Sequence, residues 1–280
     1  MEPLRVLTVA GSAAGGSAGI QADLKTFQEL DVYGMAIVTA LVARHPETCV
    51  NVHKQTLEAI EAQFSTALNQ VKKFDGMKTG MLFSKEIIEK VTEMINFYQI
   101  DRVVVDPVMV GKHRSKLLKD DAIIALKEKL IPSAKMITPN MTEASLLLDN
   151  RKLNTVDDLK QAAIDLHKLG ASYVLVKGGE LEGPAIDVLY EGETLTTYEA
   201  PRILTENTSG AGCTYSAAIA ANLAKKLPVT EAVYQAKSFI TTAIEHGFSY
   251  TELPGPTLHA AKRLYGMAHE IVKTEEKVNV

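Results

Sequence analysis

Five short stretches of the chain are nearly continuous in apolar residues: Arg5–Ala10, Ala36–Val42, Arg102–Asp106, Lys135–Thr138 and Tyr173–Lys177. Such runs predict β-strands covered on both faces. Between them, apolar residues return at helical spacing. Ile20, Leu24, Phe27 and Leu30 form one stripe, and Ile60, Phe64, Ala67, Leu68 and Val71 another. Ala122–Leu130 and Val156–Leu169 also read as helices, the second capped at Asn154 or Thr155 and stopped by Gly170. Alternation of this kind predicts an α/β fold with a mostly parallel central sheet flanked by helices. The pattern breaks once. Ile186–Tyr190 and Thr194–Glu199 flank Glu191-Gly192-Glu193 and predict a small β-hairpin. From Ala211 to Ile244 the chain reads as helix almost throughout.

Composition narrows the function classes. With 280 residues, 46% of them hydrophobic, the chain can bury a sizeable core. No repeat, low-complexity tract or Pro/Gly/Ser linker divides it, so a single domain over 1–280 is expected. A net charge of −4 favours neither nucleic acid nor an anionic membrane surface as partner. No apolar run approaches the roughly 18 residues of a membrane span. The first residues, MEPLRVLTVAG, lack the apolar stretch of a signal peptide. Cys49 and Cys213 lie far apart and make no disulfide framework. A reduced, cytoplasmic enzyme or binding protein is expected. Neither Cys-x-x-Cys nor His-Glu-x-x-His occurs, so no zinc site is signalled.

In open α/β sheets, ligands sit beyond the carboxyl ends of the strands. The segments there are Gly11–Gly19, Ala43–Thr48, Asp106–Lys112, Pro139–Glu143 and Gly178-Gly179. The strongest signal comes later, at Asn207-Thr-Ser-Gly-Ala-Gly-Cys-Thr214, where small residues open directly into an alanine-rich helix. The first amides of a helix lack internal partners and the dipole is positive there. Gly210, Ala211 and Gly212 let the backbone approach an anion such as a transferring phosphoryl group. Cys213 falls in the first turn, where the same field lowers a thiol pKa and suits it to accept a proton. The competing reading is a tight turn with Cys213 as a small buried residue.

The loop Gly11-Ser-Ala-Ala-Gly-Gly-Ser-Ala-Gly19 lies between a strand and a helix but fits neither a Walker A motif nor G-x-G-x-x-G. It either brings backbone close to a ligand or is an ordinary tight turn. Asp23, just inside the following helix, either points at a substrate hydroxyl or favours the helix N-terminus. Asp106 ends an apolar strand, and Asn140 and Glu143 stand at a helix start. Asp106 and Glu143 form a carboxylate pair suited to Mg²⁺. Asn140 and Glu143 also fit a capping box. Lys177 either neutralises a phosphate or is a solvated strand end.

Taken together, these motifs resemble the pyridoxal/pyridoxine kinase and hydroxymethylpyrimidine (phosphate) kinase branch of the ribokinase-like family. The carriers run from Val6 to Thr257. They are Ala10-Gly-Ser, Ala18-Gly-Ile-Gln-Ala-Asp-Leu-Lys-Thr-Phe27, Lys78-Thr-Gly-Met-Leu82, Val105-Asp-Pro-Val-Met109, Ile137-Thr-Pro-Asn140 with Glu143-Ala144, Val176-Lys-Gly-Gly179 and Gly210-Ala-Gly-Cys-Thr214. The resemblance implies a three-layer ribokinase-like fold, a homodimer, and ATP with Mg²⁺ as phosphoryl donor to a small heteroaromatic alcohol. Carried over by position, the amides of Gly210–Cys213 form the anion hole and Cys213 is the catalytic base. Asp106 and Glu143 hold Mg²⁺ through water and phosphate. Asn140, Lys177, Thr208 and Lys237 serve ATP and its phosphates. Gly11, Asp23, Arg44, Met81 and Val108 line the substrate pocket.

Phe27-Gln-Glu-Leu-Asp-Val-Tyr-Gly-Met35, Asp187-Val-Leu-Tyr190 and the Ala of Gly-Ala-Gly-Cys look like pyridoxal kinases of Gram-positive bacteria. Vitamin B6 is therefore the expected substrate. The pyrimidine kinases of thiamine synthesis are the alternative, and a non-catalytic vitamin-binding regulator is the alternative of another class. Several positions depart from the family pattern. Ala13 stands for an Asp, Ser17 for a Gly and Ser209 for a His; Gly111 replaces a lid cysteine found in some B6 kinases, and Arg44 adds a cation near the expected pocket.

Overall fold

In the computed structural model of the chain, the described residues are 2–43, 52–71, 73–111, 117–267 and 269–278. The first half alternates strand and helix: β1 (Arg5–Ala13), α1 (Ile20–Glu29), β2 (Tyr33–Val42), β3 (Val52–Lys54), α2 (Leu57–Gln70), β4 (Gly76–Thr79), α3 (Lys85–Phe97) and β5 (Val103–Val105). Then come α4 (Asp120–Ala125), β6 (Met136–Ile137), α5 (Met141–Leu147), α6 (Val156–His167) and β7 (Tyr173–Gly178). The expected hairpin follows as β8 (Ala185–Tyr190) and β9 (Thr194–Ala200), and α7 (Ala211–Ala224), α8 (Val229–Glu245), α9 (Ala261–Tyr265) and β10 (Val272–Lys277) complete the order.

All ten strands belong to one sheet, in the order β10-β9-β8-β7-β6-β5-β4-β1-β2-β3. The six central strands from β7 to β2 run parallel, and β3, β8, β9 and β10 pair antiparallel at the margins. One face buries Phe64 of α2, Ile87 of α3 and Leu159 of α6. The other buries Phe27 of α1, nearly all of α7, and Phe239 of α8. This is the expected three-layer α/β arrangement. Burying one such phenylalanine contributes roughly 2–3 kcal/mol.

Helix α7 shows why sequence and layer agree. Every residue from Thr214 to Ala224 is buried, so the helix needs small side chains all round. Buried Asn222 finds its partner inside the core, where its Nδ2 donates to Ala232 O at 3.1 Å. Thr155, one of the two expected caps of α6, is the cap, and Asp158 returns a bond to complete a capping box.

Five elements lie outside the sequence expectations: β3, β4, β10, α3 and α9. Strands β3 and β10 are edges, and every residue of β10 is exposed, so no apolar pattern marks them. Strand β4 is wholly buried yet contains Lys78. The expected helix Ala122–Leu130 is α-helical only to Ala125 and continues as a π-turn over Leu126–Leu130.

Candidate active site

The parallel strands end along one edge, and the first two turns of α7 meet that edge from three sides. From β1, the Gly19 amide donates to Cys213 Sγ at 3.4 Å. From β5, Asp106 Oδ2 accepts from Ser216 Oγ at 3.0 Å. From β7, the Lys177 ammonium lies 3.5 Å from where a Cβ on Gly212 would stand.

Two glycines make this convergence possible. Gly19 (φ 62°) starts α1 with its Cα pressed on Gly11 O, and Gly210 (φ 81°) starts α7 with its Cα pressed on Ser17 O. A side chain at either position would collide with that carbonyl and occupy the left-handed region. Ser17 and Ser209, both departures from the family pattern, meet at 3.1 Å between hydroxyl oxygens.

The amides at the mouth are not equivalent. The Ala211 amide donates to Thr208 O at 3.1 Å, because the chain closes a turn there before the helix begins. This corrects the expectation for Ala211, whose amide is taken. The amides of Gly210, Gly212 and Cys213 meet no acceptor among the described residues. Gly212 and Thr208 are exposed.

Beneath the mouth lie two buried ion pairs. Lys177 Nζ donates to Asp106 Oδ1 at 2.9 Å, and Lys78 Nζ contacts both oxygens of Asp23 at 3.0 Å. Lys177 is therefore no solvated strand end. Burial pulls its pKa down, but Asp106 and Glu143 outweigh that and raise it. Asp23 also accepts from Thr8 Oγ1 at 2.6 Å and is fully buried, so its carboxylate faces Lys78 and Thr8 rather than the opening.

Asn140 and Glu143 form the capping box: Glu143 N donates to Asn140 Oδ1 at 2.8 Å, and Asn140 N to Glu143 Oε2 at 2.9 Å. The same Glu143 is buried beside Asp106 and Lys177. Burial drives its carboxyl pKa upward, and Asp106 adds to the rise. Two carboxylates share one ammonium here, so the cluster is one positive charge short when both are ionised. That deficit fits Mg²⁺ held through water and phosphate. No group of three or more His, Cys, Asp or Glu able to hold a metal occurs among the described residues.

Cys213 departs from expectation in its acidity. The residue is only partly buried, but its sulfur is crowded, and desolvation raises the thiol pKa. Lys78 and the Gly19 amide pull it back, while Asp23 and Asp106 push it up. Burial therefore outweighs the helix field that the sequence emphasised.

The remaining expected residues spread around this centre. Gly11 sits at a shift in the β1–β2 register, and a Cβ there would come within 2.6 Å of Met81 Cε. Val108 borders a small cavity with Thr79 and Gly80. Lys237 is buried and donates to Asp187 Oδ2 at 2.6 Å, while Asp187 Oδ1 accepts from the Gly178 amide at 3.0 Å. Its ammonium thus acts one step behind the β7 terminus. Arg44 and most of Ala43–Thr48 lie outside the described residues, as do Cys49 and Lys112.

Lys78, Asp187 and Ser216 have no assigned role in the sequence reading. Lys78 was visible only as part of a motif, since a lysine in a strand ordinarily reads as exposed. His259 is a fourth such residue. Its Nε2 lies 3.0 Å from Thr214 Oγ1, which donates to Gly210 O. It also borders a cavity of about 460 Å³ between α1 and Phe248–Ala260, whose mainly apolar walls include none of Asp106, Glu143, Lys177 or the α7 mouth.

Burial, with Lys25 adding, lowers the His259 pKa to about 4, and Glu29 opposes them weakly. The unfolded chain takes up this proton near pH 6.5, whereas the folded chain refuses it until about pH 4. Stability is therefore expected to fall as pH drops through that window, by up to about 3 kcal/mol from this group. Urea midpoints at pH 7 and 4.5 test this. His259→Asn should flatten the dependence, and parallel profiles for the two proteins would refute the assignment.

The phosphomethylpyrimidine kinase family model matches residues 14–258. The chain is 47% identical over 264 residues to a pyridoxine kinase of Bacillus subtilis, covering 93% of this chain and 97% of the relative. It is 40% identical over 263 residues to a hydroxymethylpyrimidine/phosphomethylpyrimidine kinase of the same organism, covering 93% and 96%. The fold superposes with a TM-score of 0.89 on the pyridoxal kinase of Staphylococcus aureus in complex with AMP-PCP and pyridoxal, at 37% identity, covering 99% of this chain and 100% of that one.

Proposed function

The chain belongs to the phosphomethylpyrimidine kinase family and is an ATP-dependent phosphotransferase; from that premise we propose that it phosphorylates the hydroxymethyl group of a vitamin B6 compound. The observation that carries the chemistry is the set of unbonded amides at Gly210, Gly212 and Cys213, set above two buried lysine–carboxylate pairs. Such a frame is built to receive negative charge that develops on phosphoryl oxygens.

In our reading, ATP places its terminal phosphate at the α7 mouth, near Lys177. Cys213, as thiolate, accepts the proton of the hydroxymethyl group while that oxygen attacks the phosphorus and ADP leaves. Asn140 and Thr208 border the phosphates. Lys237 fixes the Gly178 backbone through Asp187. Mg²⁺ held at Asp106 and Glu143 would neutralise phosphate charge. Gly11, Met81 and Val108 form the substrate wall, and Asp23 supports it from behind. The reading extends to a cytoplasmic homodimer.

The choice of vitamin B6 is supported by the higher identity to the pyridoxine kinase, 47% against 40% for the pyrimidine kinase. The pyrimidine alcohol remains the second reading, because the matching family model carries that kinase's description. Both substrates are flat N-heterocycles bearing a hydroxymethyl group. With Mg-ATP, pyridoxine, pyridoxal or pyridoxamine is expected to show a kcat/KM at least tenfold above that of hydroxymethylpyrimidine. A reversed order would assign the chain to thiamine synthesis. ATP consumption without dependence on any of these alcohols would overturn both readings.

A further inference from the structure

The loop that follows β7 leaves directly from the candidate phosphate region. Lys177 stands at its root, and Gly179 and Glu180 are exposed just beyond it. Leu181 N donates to Gly178 O at 3.0 Å, so the chain reverses at once. Thr142, beside Glu143 at the start of α5, donates from its hydroxyl to Glu180 Oε1 at 3.4 Å. A Cβ on Gly179 would meet nothing within 4 Å, so open space stands before that backbone. Neither the Gly179 nor the Glu180 amide meets an acceptor among the described residues.

One side chain holds this loop. Arg202, just beyond β9, donates from Nη1 to Gly179 O at 2.9 Å and from Nε to Gly183 O at 2.5 Å. Its Nη2 donates to Leu181 O at 2.6 Å and to Pro184 O at 3.4 Å. Four converging carbonyls call for a planar fork of donors, which a guanidinium has and an ammonium lacks. No carboxylate pairs with Arg202 among the described residues, so its charge is left to the loop. A peptide unit is planar and trans, so fixing its carbonyl fixes the following N–H in the opposite direction. With Gly179 O turned to the guanidinium, the Glu180 N–H is turned away from it.

We propose that Arg202 is a positioning residue for the nucleotide: by holding four carbonyls of the 179–184 loop, it sets the free Gly179 and Glu180 amides at the edge of the phosphate site, where they donate to bound ATP. The proposal deepens the reading of Lys177 and the α7 mouth given above and rests on it. Arg202 itself touches neither the alcohol nor the transferred phosphorus. It acts on nucleotide affinity through the backbone it holds, at the carboxyl end of a parallel strand where ligands of such sheets gather.

The test is the Kd of AMP-PCP with Mg²⁺, measured by calorimetry on the whole chain. Arg202→Ala should raise it about tenfold, the scale of one or two lost hydrogen bonds. Arg202→Lys should resemble the alanine variant, because one ammonium cannot hold the four carbonyls, and it decides the question should Arg202→Ala fail to fold. A second readout follows the loop itself. A glutamyl endoprotease cuts after Glu180 and Glu182, and AMP-PCP should slow that cleavage in the wild-type protein, read on the released peptides by mass spectrometry. A purely structural clamp would lower the melting temperature and speed cleavage in the variants, yet leave the Kd unchanged and the cleavage indifferent to nucleotide. That result, or failure of both variants to fold, would overturn the proposal. Gly212→Ala, measured alongside, separates two failures. Weakened AMP-PCP binding there with wild-type binding in the Arg202 variants removes the clamp alone. Wild-type binding in all three removes the phosphate placement on which the clamp rests. AMP-PCP binding needs no alcohol, so neither outcome depends on which vitamin is the substrate.

Discussion

Cys213→Ala is expected to lower kcat by roughly 10²–10⁴-fold while leaving the KM for ATP nearly unchanged. The asymmetry follows from geometry. The sulfur occupies the first turn of α7 and accepts the Gly19 amide at 3.4 Å, whereas the parts proposed to face phosphate are backbone amides and Lys177, which alanine leaves in place. Cys213→Asp should retain more activity than Cys213→Ala, because a carboxylate in that turn can also accept a proton. The pH profile adds a second signature. Burial raises the thiol pKa, so the proton-accepting form is scarce at neutral pH in the free protein. Activity that needs the thiolate must therefore fall as pH falls, and the rising limb of kcat/KM should lie above the ordinary thiol range. Steady-state rates across pH 6 to 10 check both points. Wild-type turnover in Cys213→Ala would remove the base from the mechanism, and a flat alkaline limb would show that proton removal is not limiting.

The central strands were legible because burial on both faces leaves one kind of residue to choose from. Arg5–Ala10 and Tyr173–Lys177 could hardly read as anything else, and they are the cores of β1 and β7. Strand β4 was not legible for the same physical reason that makes it interesting: Lys78 puts a charge in a wholly buried strand, and the Asp23 carboxylate, 55 residues away, makes that tolerable. Edge strands β3 and β10 owe their pairing to a neighbour rather than to their own pattern. Helix α3 is different. Its buried Ile87, Ile88, Val91 and Ile95 carry helical spacing, so that signal was present in the chain.

The candidate site divides along similar lines. The small-residue turn before α7 announced an open helix start, since glycines at Gly210 and Gly212 have little structural use there without close approach. What the sequence could not convey was competition for partners. Ala211 spends its amide on Thr208, Asp23 spends its carboxylate on Lys78, and Lys237 spends its ammonium on Asp187. Each residue type fits a ligand role equally well until the third dimension supplies a closer partner.

Two glycine substitutions two residues apart should separate folding from phosphate chemistry. Gly210→Ala places a side chain against Ser17 O at a positive φ of 81°, so the loop over residues 14–19 must shift. That loop also carries the Gly19 amide bonded to Cys213, and its displacement spoils base and amides together. A loss of about 10²–10³-fold in kcat is expected, on the scale of removing one oxyanion donor, along with roughly 1–2 kcal/mol of stability from the left-handed backbone. Gly212→Ala should behave oppositely in stability. Gly212 lies inside the helix, and its added Cβ would stand 3.5 Å from Lys177 Nζ, an ordinary contact. Replacing a helical glycine should stabilise the fold by roughly 0.5–1 kcal/mol. The same methyl would occupy the space between the Gly212 amide and Lys177, the path proposed for a phosphate oxygen. We therefore expect a raised melting temperature together with a loss of about tenfold in kcat/KM for ATP. Thermal melts paired with steady-state kinetics distinguish the cases. A Gly212→Ala protein that is both more stable and fully active would mean that phosphate does not dock between that amide and Lys177.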